Sequence, residues 1–180
     1  MTKTKKLSLI LFGLLVLLAA CGGENNNQQE DALEETGDIK ELVHHYSTED
    51  IVDENASITS EQLIVTDNEG NEEAVYDLPE DEFFVSIAPF VQQTHPCEIH
   101  SLTGCQGEMV QEEFDVYIET AEGDVVIDET MQTEENGFID LWLPKDETYT
   151  VEIKHDGKEV TSEISTFEDD FTCITTMQLI

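Results

Sequence analysis

From Met109 to Ile180 the chain repeats one local pattern, and that pattern restricts the fold more than anything else in the sequence. Phe114, Val116 and Ile118 alternate with polar residues, and Glu122-Gly123-Asp124 follows as a turn. Val125-Val126-Ile127 leads to the turn signal Thr133-Glu134-Glu135-Asn136-Gly137, and the apolar run from Phe138 to Leu143 ends at Pro144. Tyr149, Val151 and Ile153 alternate before His155-Asp156-Gly157-Lys158, with Val160 and Ile164 continuing beyond it. Alternation with a period of two gives a strand one buried face, and Asn-Gly and Asp-Gly supply the positive backbone angles of tight turns. Short strands at this spacing predict an antiparallel β-sandwich with Trp142 in its core. The last segment, Asp169 to Ile180, alternates into a terminal strand with Cys173 near its start.

Upstream the period changes. Ile39, Leu42, Val43 and Tyr46 recur at helical spacing, with Asp38 as the N-cap, while His44 and His45 fall on the polar side as solvated residues. Stretches 58–66 and 74–78 alternate around Asp67-Asn68-Glu69-Gly70 and predict a hairpin. Phe83 to Val91 is the most apolar stretch outside the first 20 residues and reads as a buried strand or short helix. The expected fold is mainly β (α+β overall): a small N-terminal helix plus hairpin segment, 38–92, packed on a C-terminal antiparallel β-sandwich, 93–180. The string EENGFIDLWLPKDETYTVEIKHDG resembles prealbumin-like or Cna-B-like sandwich modules over about residues 113–166, a resemblance that implies fold and no function.

Residues 1–20 read as an export signal, with Lys3, Lys5 and Lys6 ahead of an apolar run from Leu7 to Ala20. Leu18-Ala19-Ala20-Cys21 resembles the lipobox of bacterial lipoproteins, which makes Cys21 the acylated residue and 21–37 a flexible tether. The expected location is therefore extracytoplasmic, lipid-anchored to the cell membrane. Charge narrows the partners. There are 7 lysines, no arginine and 42 acidic residues, and the 4 lysines beyond the signal leave a side-chain charge of −38. Nucleic acid is excluded as a partner because phosphate binding needs clustered cations. A basic face for anionic lipid is excluded on the same ground, so membrane contact is expected through the anchor only.

The chemistry concentrates in Thr94 to Glu108, THPCEIHSLTGCQGE, which holds Cys97, Cys105, His95 and His100. With Cys21 set aside, Cys97, Cys105 and Cys173 form an odd set, so at most two can pair. From the residues alone three readings stand open. A disulfide, most naturally Cys97–Cys105, closes a loop of seven intervening residues and adds about 2–3 kcal/mol. A redox site cycles that disulfide with Cys173 as the resolving thiol. A soft-metal site uses three thiolates, which suit Cu(I) or Zn(II). The Cys spacing matches no zinc finger or ribbon. Pro96 stiffens the approach to Cys97, and Gly104 and Gly107 are expected to let the backbone turn tightly around Cys105. There is no G-x-S-x-G, H-E-x-x-H or phosphate-binding glycine loop, so no hydrolase-type motif is present.

The combination His-Pro-Cys-x-x-His-Ser-Leu-Thr-Gly-Cys-Gln-Gly-Glu, then NGFIDLWLPKD, then a terminal Thr-Cys-x-Thr-Thr resembles the CueP family of extracytoplasmic copper-binding proteins. It extends from about Glu61 to the C-terminus. The resemblance implies copper resistance, with copper held through Cys97, Cys105 and Cys173, His100 and His95 as secondary ligand candidates, and Cu(II) reduced to Cu(I). It also implies delivery to a copper-accepting extracytoplasmic enzyme, a Cu,Zn superoxide dismutase in the family. The expectation is a copper-binding protein in which reduction is stoichiometric. Its rivals are a thiol–disulfide oxidoreductase, against which stands the lack of Cys-x-x-Cys, and a structural surface β-sandwich module with one disulfide.

Overall fold

The computed structural model describes residues 38–49 and 51–180. The signal, the tether and the acylation site at Cys21 lie outside the described residues. No helix among the described residues is long and apolar enough to cross a membrane.

Helix α1 (Ile39–Thr48) starts where the sequence places it. The Asp38 side chain accepts the Lys40 N–H at 2.8 Å, and Leu42, Val43 and Tyr46 are buried. His44 and His45 are exposed. Strands β1 (Glu54–Ile58), β2 (Gln62–Asp67), β3 (Glu72–Asp77) and β5 (His100–Ser101) form one sheet in the order β3-β2-β1-β5. The β2–β3 hairpin turns at Asp67–Gly70, as the sequence signals. The stretch 58–66 is not one strand, however. Thr59 breaks it, its hydroxyl accepting the N–H of Glu61 and of Gln62. Such a local side-chain bond offers the backbone an alternative to the ladder.

The predicted sandwich region forms a second sheet, in the order β10-β9-β6-β7, from β6 (Glu113–Thr120), β7 (Val125–Gln132), β9 (Thr148–His155) and β10 (Lys158–Ser165). Asp156 (φ 49°) and Gly157 (φ 77°) turn β9 into β10 in the left-handed conformation such a tight hairpin needs. Strand β8 (Ile139–Pro144) leaves this sheet. It pairs antiparallel with β4 (Glu82–Ile87), and β4 pairs parallel with the two-residue β11 (Cys173–Ile174). The Asn136-Gly137 turn is therefore a corner between two sheets and not a hairpin.

The β11-β4-β8 sheet lies at the middle of the molecule. Phe83, Val85, Ile87, Ile139, Leu141 and Leu143 face the β10-β9-β6-β7 sheet and form the sandwich core with Phe114, Ile118, Val151 and Ile153. On its other face, Phe84 and Trp142 pack with Leu42, Val43, Ile58 and Leu102 of the helix-bearing layer. Burial of β4 on both faces explains its unbroken apolar sequence. It also corrects the reading of Trp142. Odd-numbered positions of β8 point into the sandwich, so Trp142 points the other way, edge-on to Phe84 with Lys40 over its ring. The terminal segment contributes Cys173, Met177 and Leu179 to the interior, although its ladder is only β11 and one further bridge, Phe90 to Gln178.

Candidate metal centre

Three segments distant in sequence meet beside β11. Thr94–Glu108 crosses the end of the middle sheet, with His100 held in β5 by pairing with Ile58. The Glu98 carbonyl accepts the N–H groups of Thr172 and Cys173, and the His100 N–H donates to the Thr172 hydroxyl at 3.0 Å. That hydroxyl in turn donates to the Ile58 carbonyl at 2.6 Å. These bonds lock the first Cys/His segment to the last strand. After Ser101, whose carbonyl accepts the Gly104 and Cys105 N–H groups, the chain turns Cys105 back over the same spot.

One sulfur or nitrogen donor from each of Cys97, His100, Cys105 and Cys173 lies within 4.8 Å of the other three. Cys97 and Cys173 are joined as a disulfide with Cα atoms 5.6 Å apart, an ordinary span for such a bond. Cys105 is a free thiol with its Sγ 3.5 Å from that of Cys97. The expected Cys97–Cys105 pairing is thus replaced by Cys97–Cys173. The bonds from Glu98 to Thr172 and Cys173 set residue 173 directly beside residue 97, whereas Cys105 approaches only through its turn. Cys97 and Cys105 are partly exposed, and Cys173 is 1% exposed.

His100 is fully buried, its Nδ1 lying 3.4 Å from Cys173 Sγ and its Nε2 without a partner. Burial pushes its pKa down to about 4; the Asp140 carboxylate opposes this and His95 adds to it. The ring is therefore neutral at ordinary pH, so one of its two nitrogens carries a lone pair able to hold a metal. Such burial places His100 as the interior donor of the group. His95 does not join the four donors. Its ring lies edge-on to Phe138 with centroids 6.4 Å apart, and its Nε2 is buried and unpartnered.

Sequence reasoning gave no role to the residues that hold this cluster. Phe138 is fully buried against Ala88 and Cys173, with Cys97 and Cys105 packed on the same group and the His100 ring 4.5 Å away. Asn136 caps the corner before it, accepting the Phe138 N–H and donating to Ser47 of α1. Asp140 accepts hydroxyl bonds from Ser47 at 2.6 Å and Ser86 at 2.5 Å. Phe138 and Asp140 lie within NGFIDLWLPKD and Thr172 within Thr-Cys-x-Thr-Thr. The one intrinsic signal was an acid on the inner face of an apolar strand, which resembles a solvent-side residue until the helix layer is placed over it. Gly107 also acts differently from expectation. Neither it nor Gly104 has a positive φ. A Cβ on Gly107 would be driven into the Gly137 carbonyl, and one on Gly137 (φ 79°) would meet the Gly107 backbone at 2.9 Å. The two glycines let the cysteine loop and the β7–β8 corner touch.

Fold and donor set together define a β-rich protein with a soft, three-sulfur, one-imidazole centre assembled at a sheet edge. The chain belongs to the CueP family: the family model described as "Periplasmic copper-binding protein CueP" matches residues 38–178. It is also similar to a solved structure described as the crystal structure of S.CueP, at 34% identity and a TM-score of 0.77, covering 88% of this chain and 100% of that one. No curated protein matches the chain significantly.

Proposed function

We propose that this protein is an extracytoplasmic copper-binding lipoprotein that sequesters copper as Cu(I) on the thiolates of Cys97, Cys105 and Cys173, with His100 as the imidazole donor. The observation that carries this reading is the convergence of those four donors within 4.8 Å, in a chain belonging to a family described by periplasmic copper binding. Metal–sulfur bonds of about 2.3 Å place sulfurs around one ion roughly 4 Å apart, the scale of this cluster. Thiolate donors suit Cu(I), and the same set also fits Zn(II), so copper rests on the family and not on donor type alone.

The cysteines also account for reduction. Two Cu(II) ions each accept one electron, the thiols of Cys97 and Cys173 supply both and release two protons, and the product is the Cys97–Cys173 disulfide. That disulfide fits the spent state, and an external reductant is needed before the three thiolates act together again. Acylation at Cys21 would hold the domain at the membrane, and loaded copper would pass to a copper-accepting extracytoplasmic enzyme. A free thiol 3.5 Å from the disulfide sulfur favours one second reading, thiol–disulfide exchange without metal.

The test is a Cu(I) titration of reduced residues 22–180 against a competing chelator, with Zn(II) in parallel and Cys173→Ser alongside. One tightly held Cu(I) per chain, lost in the variant, supports the copper reading. Weak binding, or binding indifferent to Cys173, removes it, and disulfide reduction that ignores copper promotes the exchange reading. Release of a Cys21→Ser protein into the medium tests the anchor.

A further inference from the structure

The segment carrying Cys97 and Cys105 supplies two imidazoles, yet only His100 joins the four-donor cluster. His95 is nevertheless near, and its Nε2 is buried and without a partner. Both imidazoles lie against one side chain, Phe138, with ring centroids at 4.5 Å for His100 and 6.4 Å for His95. Phe138 is itself rigidly placed. Its N–H donates to Asn136 Oδ1 at 2.9 Å, its carbonyl accepts the Glu134 N–H at 2.8 Å, and Gly137 before it abuts Gly107. Its ring is fully buried in one apolar group with Ala88 and Cys173, against which Cys97 and Cys105 pack.

We infer that Phe138 determines the oxidation state the centre accepts, by keeping His95 out of the donor set and presenting an apolar wall where a second imidazole or water would bind. This rests on the copper reading above. Imidazole and oxygen donors in tetragonal array stabilise Cu(II), whereas a sulfur-rich, water-free environment favours Cu(I). With Phe138 in place, an arriving Cu(II) finds three sulfurs and one nitrogen and takes electrons from the thiols. With the ring removed, His95 adds a second nitrogen and Cu(II) persists.

The experiment mixes Cu(II) anaerobically with the reduced protein and follows both Cu(I) formation and the Cu(II) paramagnetic resonance spectrum. Wild type, Phe138→Ala, Phe138→Leu and the double variant Phe138→Ala/His95→Ala are compared. In Phe138→Ala, reduction is expected to slow at least tenfold, with a lasting Cu(II) signal showing two nitrogen donors. Adding His95→Ala restores fast reduction and removes the second nitrogen. Phe138→Leu keeps the apolar fill and shifts the rate in the same direction by a smaller factor, and it decides the matter if Phe138→Ala does not fold. Reduction within twofold of wild type in the folded Phe138 variants overturns the inference, as does slow reduction that survives His95→Ala. Failure of the wild type to bind Cu(I) tightly is a separate result that removes the copper reading itself.

Discussion

The β10-β9-β6-β7 sheet and the cysteine centre are built in opposite ways. In the sheet, β6–β7 and β9–β10 are hairpins whose partners are neighbours in sequence, with register set by tight turns and by alternation of buried residues such as Tyr149, Val151 and Ile153. The centre takes one residue group from 94–108, one from 136–140 and one from 172–173, and its covalent link spans 76 positions. A sheet built largely of hairpins tolerates change at its surface because most of its contacts are local and repeated, the β6–β9 seam being the exception. The centre has no repetition, since each of its contacts joins segments distant in sequence.

This contrast can be broken most directly at Cys105. Cys105→Ser is expected to lower Cu(I) affinity by about a thousandfold or more, about 4 kcal/mol, while leaving the Cys97–Cys173 disulfide intact. Chelator competition on the reduced protein and urea unfolding of the oxidised protein check the two halves. Equal loss of stability and affinity would show that the centre is merely part of the core.

The next largest effect is a pH dependence from His100. Its folded pKa of about 4 lies below the ordinary value of 6.5, so between these values the unfolded chain binds a proton that the native chain does not. The His100 contribution to the stability of the copper-free protein therefore rises with pH from about 4 to about 6.5 and is constant above, totalling about 3 kcal/mol. Denaturation midpoints across that window measure it, and the step should vanish in His100→Asn. A step of undiminished size in that variant would assign it to other groups.

Smaller still, Gly107→Ala should destabilise by about 1–3 kcal/mol through the clash with Gly137, and should weaken Cu(I) binding by moving the loop that carries Cys105. An unchanged affinity would mean that the loop does not depend on this contact. At the other extreme, Val126→Thr on exposed β7 should alter stability by less than about 0.5 kcal/mol and leave copper binding untouched. A large effect there would reveal that the sheet's outer edge is coupled to the centre.

Much of the fold was legible because its signals are local. Asp38 and the spacing of Leu42, Val43 and Tyr46 mark α1, and Asp67–Gly70 and Asp156-Gly157 mark their hairpins. Backbone preferences and hydrophobic period act within a few residues, so a short window contains the information. The donor types were legible too, since three cysteines and a histidine advertise soft-metal chemistry wherever they lie. Tertiary structure decided what depends on segments meeting: that Asn136-Gly137 is a corner between sheets, that Trp142 faces the helix layer, and that Cys97 bonds Cys173. It also separated His100 from His95. No local rule distinguishes two histidines five residues apart; only the packed chain sets His100 among the three sulfurs and leaves His95 outside that group.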